Sequence, residues 1–356
     1  MRPFHIQSKI ASMNNENERN NEQTPDSNQK GKGFRPNIHL ILLAVIILMI
    51  ALAGYRLLRW NKGHDSDYDP DAPQTTEFDT EPLDVYFVLT PDKLKDHPAD
   101  GIDTILFLGN NVLTDGTFPD ENGTIPSLIE EKTGSVVYNC GFPGSMTACD
   151  SKTYISTCPQ DAFRLYYVTD SLCRGDFSLQ QEALADLELD ADSAPFYPKS
   201  LNLLSTLDIN TVDTLVIFYD ARDMLNYRPI EDPDGENSIA TVCGALASSI
   251  ERIQETYPFL RIVIMSPYHA YFKNNAGFYE SLDNHNYGTG TLPNYLYSMT
   301  EVAQNYDVSL VDNYYGTINE LSETKYLEDN IKLNNEGRDL VADRLIRFLR
   351  LSPKPQ

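Results

Sequence analysis

Apolar positions along the chain fall into contrasting regimes. Residues 38–55 (IHLILLAVIILMIALAGY) are apolar almost without break and carry no Asp, Glu, Lys or Arg. At about 1.5 Å per residue, this run and its flanks match a hydrocarbon core roughly 30 Å thick. A buried helix of a globular domain would show a polar face, and this run shows none. The pattern predicts a membrane-spanning helix over 38–58. No small-x-small site follows before Arg56-Leu57-Leu58-Arg59, which favours an uncleaved signal anchor over a cleaved signal peptide. From residue 83 onward, short β-rich runs alternate with helix-like stretches. The runs are Thr104 to Leu108, Val136 to Tyr138, Thr214 to Phe218, Ile262 to Met265 and Val308 to Val311, each closed by a turn or polar residue. Helical spacing marks 248–257, 293–306 and 335–349. Strand–helix alternation predicts an α/β fold: a flavodoxin-like, three-layer α/β/α domain around a central parallel sheet of about five strands. In such sheets ligands meet the carboxyl ends of the strands, so the residues closing each run define the expected site.

The polar regimes refine this division. Residues 1–37 are rich in Asn, Gln, Glu and Lys, cannot bury enough surface to offset chain entropy, and are expected to be a disordered cytoplasmic tail. Residues 59–82 read as an acidic linker and 83–356 as the folded domain, with a helical insertion at about 150–210 expected to sit as cap material beside the site. The whole chain of 356 residues holds 28 Lys+Arg against 52 Asp+Glu, but residues 1–62 carry a net +5 and the remainder −29. Such acidity excludes a nucleic-acid binder, because phosphate contacts need clustered Lys and Arg. Basic residues flank the apolar run equally on both sides; an N-terminus inside is preferred because the acidic domain is then exported. Five cysteines, Cys140, Cys149, Cys158, Cys173 and Cys243, leave at least one thiol free outside the cell and form no CxxC pair. One disulfide is open to them. Arg174-Gly175-Asp176 spells an adhesion tripeptide, and a plain loop is the preferred reading.

Four blocks carry the candidate chemistry. Ile105 to Gly109 followed by Asn110-Asn111 has the shape of a strand and a nucleophile turn. Asn139-Cys140-Gly141-Phe142-Pro143-Gly144, Tyr219-Asp220-Ala221-Arg222-Asp223 and Asp329-Asn330-Ile331-Lys332-Leu333-Asn334-Asn335-Glu336-Gly337 follow in order, each at a strand end or before a helix. Together they resemble the SGNH/GDSL hydrolase superfamily over roughly residues 103–349. The resemblance implies Gly-Asp-Ser in the first block, a glycine lending an oxyanion N–H in the second, Gly-x-Asn-Asp in the third and Asp-x-x-His in the last.

The letters depart from that pattern at the reacting groups. The nucleophile serine falls on Asn111, the base histidine on Lys332, the oxyanion asparagine on Arg222, and the third block's first glycine on Asp220. Asp329 and Gly144 are retained. A serine hydrolase needs a hydroxyl, a base for its proton and a group orienting that base. A carboxamide has no ionisable nucleophile, and a lysine near its ordinary pKa of about 10.4 is a cation. No catalytic set is intact, and Asn110, Asn111, Gly144, Asp220, Arg222, Asp223 and Lys332 are expected to line a vestigial or ligand-binding cleft. Lys332 is expected to pair with Asp329. A relocated Ser145–His269 pair, with Thr114 and Thr147 as other nearby hydroxyls, is the disfavoured route to activity. A loop of rings and amides (Tyr268, Tyr271, Phe272, Phe278, Tyr279, Tyr287, Asn274, Asn275, Asn284, Asn286) offers carbohydrate contact, with plain packing as the alternative.

The sequence shows no metal-ligand cluster and no phosphate-binding glycine loop, so no cofactor is expected. The favoured reading is a single-pass cell-membrane protein whose extracytoplasmic SGNH-like domain is catalytically impaired. Its partners would be a cell-surface polysaccharide or a membrane acyl-transfer partner. The alternative is an active acyl esterase or O-acyltransferase on cell-envelope polysaccharide that uses the substituted residues.

Overall fold

The computed structural model describes residues 43, 45–54, 81–97, 100–115, 122–234, 237–274, 276–286 and 288–354. Residues 1–75 and 76–356 form separate units. In the first, 45–54 is helical with Ile47 and Ile50 exposed. No helix among the described residues is long and apolar enough to cross a membrane. The expected tail (1–37), the rest of the expected span and linker residues 59–80 lie outside the described residues.

The second unit is built on a five-stranded parallel sheet. Its strands are β1 (Thr104–Gly109), β2 (Val136–Gly141), β3 (Thr214–Phe218), β4 (Arg261–Met265) and β7 (Ser309–Val311), in the order β2-β1-β3-β4-β7. A separate hairpin pairs β5 (Tyr271–Lys273) with β6 (Tyr279–Ser281). Side chains alternate across the sheet with period two. Ile105, Phe107, Val216, Phe218, Val263 and Met265 enter one core, with Val341 and Leu345 of the helix Asn335–Leu349. Leu106, Leu108, Leu215, Ile217, Ile262 and Ile264 enter the other, with Leu246 and Ile250 of the helix Val242–Thr256. Burial on both faces is why these runs read as continuously apolar.

Most boundaries follow the sequence, and the exceptions have causes. β2 runs to Gly141 because Asn139 pairs opposite Phe107, and its amide donates to the Leu113 carbonyl at 2.8 Å. The helix expected from residue 248 starts at Val242, where the Thr241 hydroxyl accepts from Gly244 N at 3.1 Å. The 150–210 segment holds the helices Leu165–Arg174, Ser178–Asp186 and Phe196–Thr206. Leu165, Val168, Leu172, Tyr197, Leu201 and Leu204 share the core of Leu106 and Ile217. This segment packs into the sheet's outer layer and also borders the second block, where the Tyr197 hydroxyl donates to the Pro143 carbonyl and the Ser200 hydroxyl to the Gly141 carbonyl, each at 2.8 Å. Arg174 ends its helix, and Gly175 at φ 63° caps it, so the adhesion-like tripeptide is a helix terminus. None of the five cysteines is in a disulfide.

Residues 83–87 run antiparallel beside edge strand β7. Val85 N donates to Leu310 O at 2.9 Å and Leu310 N to Val85 O at 2.8 Å. Asp84 pairs with Arg344 at 2.5 Å. The strap satisfies backbone groups that an open edge would expose.

Candidate functional site

The sheet order reverses between β1 and β3, the place where doubly wound folds bind ligands. Gly109 ends β1 so close to β3 that a Cβ would stand 1.9 Å from the Phe218 carbonyl, so only glycine fits. Asn110 follows, fully buried. Its amide donates to Asp220 Oδ1 at 2.9 Å and to the Ser145 carbonyl at 3.2 Å, and its Oδ1 accepts from Asp220 N at 3.3 Å. The first three blocks are thus joined through one side chain.

Asn111 opens the short helix Asn111–Thr114 and turns toward the second block. Its Oδ1 accepts from Gly144 N at 2.6 Å. Gly144 has φ 78°, and no atom lies within 4 Å of where its Cβ would be, so open space borders this N–H. The turn is held from behind by Arg164, which donates to the Gly144 carbonyl at 3.1 Å and to Asp150 Oδ2 at 3.3 Å. Asp150 also pairs with Arg228.

In the third block Arg222 pairs with Asp220 through its guanidinium, and its N–H donates to Asp220 Oδ1 at 3.1 Å. Asp223 points away from the rim. Its two oxygens accept from Thr147 N and Ala148 N, each at 2.9 Å, and burial pushes its carboxyl above the ordinary range. It is a brace of the second block.

The last block is a tight turn. Asp329 Oδ1 accepts from Ile331 N at 2.9 Å and Lys332 N at 2.7 Å, and the buried Tyr268 hydroxyl donates to the Ile331 carbonyl at 2.7 Å. Lys332 does not pair with Asp329, as the spacing had suggested. Its ammonium lies 3.3 Å from Glu328, while Asp329 Oδ1 is engaged by two backbone N–H groups of the turn. Asp115, not singled out by its sequence context, joins the cluster. Burial raises its carboxyl to about 6 against the opposing pull of Lys332, while Asp220 adds to the rise. Arg164 was equally unmarked; only tertiary packing reveals either residue.

The relocated pair is not assembled. Ser145 is buried and its hydroxyl donates to the Phe163 carbonyl at 2.6 Å. His269 is fully buried, with Nδ1 3.2 Å from both Asp283 oxygens and Nε2 2.5 Å from Glu323 Oε2. The Nε2 contact is an ion pair bent off hydrogen-bond geometry. Burial alone would lower the imidazole pKa, but the two carboxylates outweigh it and raise it. Thr114 donates to the Asn111 carbonyl at 3.3 Å, and Thr147 is buried.

Of the ring-and-amide loop, Tyr287 and Asn275 lie outside the described residues. Tyr268 is core. Asn274 and Asn286 spend their oxygens on turn N–H groups, so they brace the loop instead of edging a ligand. Phe278 and Tyr279 remain 69% and 62% exposed, with Tyr271 edge-on to Tyr279 at 4.8 Å.

No family model and no curated protein matches the sequence. Solved structures do. A protein from Lactobacillus plantarum is 14% identical over 71% of this chain and 98% of its own, with a TM-score of 0.42. A member of the lipolytic G-D-S-L family from Veillonella parvula is 12% identical over 68% and 96%, TM-score 0.38. The carbohydrate acetylesterase Est24 from Sinorhizobium meliloti is 11% identical over 69% and 99%, TM-score 0.40. Any functional reading rests on this chain's own residues.

Proposed function

We propose that this chain is a membrane-anchored, extracytoplasmic SGNH-like domain that has lost hydrolysis and acts by binding a cell-surface glycan, with an acyl-transfer partner in the membrane as the other ligand the cleft could dock. One observation carries the reading: the Asn111 carboxamide oxygen sits on the Gly144 N–H at 2.6 Å. That N–H is the donor an oxyanion would need, and the group holding it has neither a nucleophilic hydroxyl nor a proton to give up. Lys332, 41% exposed, has its amine group 3.3 Å from Glu328, so it is engaged by a surface acid. Exposed Phe278 and Tyr279 supply apolar ring faces of the kind sugars pack against.

The test uses the full chain. Aryl acetate hydrolysis and fluorophosphonate labelling are expected to be absent in the native protein and to appear weakly in the Asn111→Ser, Lys332→His double variant. Labelling of the native chain that disappears in Ser145→Ala would overturn the proposal. A folded but inert double variant would show the blocks to be misplaced. Retention on immobilised cell-envelope polysaccharide should fall in Tyr279→Ala; unchanged retention would remove the glycan from the reading.

The alternative, an active esterase or O-acyltransferase, is favoured by Asp115 alone. A carboxyl titrating at about 6 beside Lys332 is suited to proton transfer near neutrality. It still lacks a hydroxyl to activate among the described residues.

A further inference from the structure

We infer that His269 is the proton-bearing bolt of a buried latch, which ties the β5–β6 hairpin to the chain carrying Asp329 and Lys332 and opens when the imidazolium loses its proton. A neutral imidazole has one N–H and one lone pair. Here both ring nitrogens face carboxylates, Asp283 at 3.2 Å and Glu323 at 2.5 Å, in a side chain with no exposure. Two carboxylates this close to a buried ring, one beside each nitrogen, favour the cationic form that bears a proton on both. The two acids meet different atoms of the ring, which is a bridge and not a chelate.

The bridge joins two parts of the fold. Asp283 lies just past β6, and Leu282 N donates to the Ala270 carbonyl at 3.1 Å. Glu323 opens the short helix Glu323–Tyr326, whose Tyr326 carbonyl receives Asn334 N at 2.9 Å across the Asp329–Lys332 turn. Tyr271 N reaches the Asn330 carbonyl of that turn at 3.0 Å. Other titratable groups facing the site are Tyr314, whose hydroxyl engages Asp283, Tyr315, Tyr271 and Glu320. No cation besides His269 is among these named groups, so its proton is what holds the two acids together. The folded pKa lies above the ordinary 6.5, so the latch is complete below that value and is lost as pH rises through the folded one. This inference does not depend on what the cleft binds.

Nitrogen-15 NMR of the full chain with labelled histidine tests it, His269→Gln identifying the resonance among the six histidines. At about pH 5.5, below the ordinary value, both His269 ring nitrogens are expected to read as protonated. Amide exchange, corrected for its intrinsic pH dependence, is expected to rise at least tenfold (~1.4 kcal/mol) in β5, β6 and the Asp329–Lys332 turn as pH is raised through the His269 titration seen in the same spectra, but not in β1 or β3. Asp283→Asn should move that step to lower pH, and His269→Gln should abolish it with exchange already fast. A His269 that loses its proton at or below the ordinary value of about 6.5, or exchange that follows only the intrinsic rate, would overturn the latch.

Discussion

Replacing Asn110 with Asp restores the letter that the resemblance places in the first block, and the structure says it will harm this protein. Asn110 Nδ2 is a donor to Asp220 Oδ1 at 2.9 Å, and both side chains are buried. Exchanging the amide for a carboxylate turns a hydrogen bond into a like-charge contact. At that separation and an effective dielectric of about 20, the repulsion is roughly 5–6 kcal/mol. The molecule has a less costly route, which is to protonate one carboxyl. From a reference pKa of about 3.9, that costs about 4 kcal/mol at pH 7 and about 1.5 kcal/mol at pH 5. The smaller figure sets the loss, and the protonated acid then donates to Asp220 as the amide did. Urea unfolding followed by far-ultraviolet circular dichroism, native against Asn110→Asp at both pH values, reads the difference. Adding Asp220→Gly, the other letter of the pattern, removes the opposing charge and should recover most of the loss at pH 7. A destabilisation under ~1 kcal/mol at pH 7, or one that does not shrink with acid, would refute the reasoning.

Other expectations are more local. Tyr268→Phe keeps the ring but orphans the buried Ile331 carbonyl, so a loss of about 1–2 kcal/mol is expected in the same unfolding assay, with faster amide exchange at Lys332. An unchanged midpoint would mean that carbonyl finds another donor. Asp115→Asn should stabilise the domain at neutral pH. The native carboxyl is raised by burial from 3.8 to about 6, so the folded state loses stability as pH climbs through that window. The variant's stability should be flatter there, as thermal melts across the window would reveal.

Strands β1 and β3 and the helix Asn335–Leu349 were legible because apolar runs buried on both sheet faces, and a three- to four-residue spacing, are local signals. The turn residues Gly109, Asn110 and Asn111 were legible as a place, not as an arrangement. The Lys332 partner was misread because neighbouring letters cannot say which acid turns an oxygen onto backbone N–H groups. Asp329 does, and Glu328 takes the ammonium. The segment 150–210 was read as an insertion beside the site because it fills a long gap between strands, but a gap's length does not reveal which core its helices enter. His269 could be seen as an imidazole after β4, without any sign of the acids from residues 283 and 323 that enclose it.

By itself the sequence determined the alternation of strand and helix, the acidic domain, and the loss of an alcohol and an imidazole from the positions where the resemblance expects them. These follow from side-chain chemistry and from periodicities of two and 3.6, which need no partner to be read. The tertiary structure decided that the Asn111 oxygen occupies the Gly144 N–H, that Asn110 and Asp220 interlock, and that His269 is held between two carboxylates. Each is a contact between residues 14 to 110 positions apart, and a hydrogen bond has an energy only at a distance and angle that the folded backbone alone supplies.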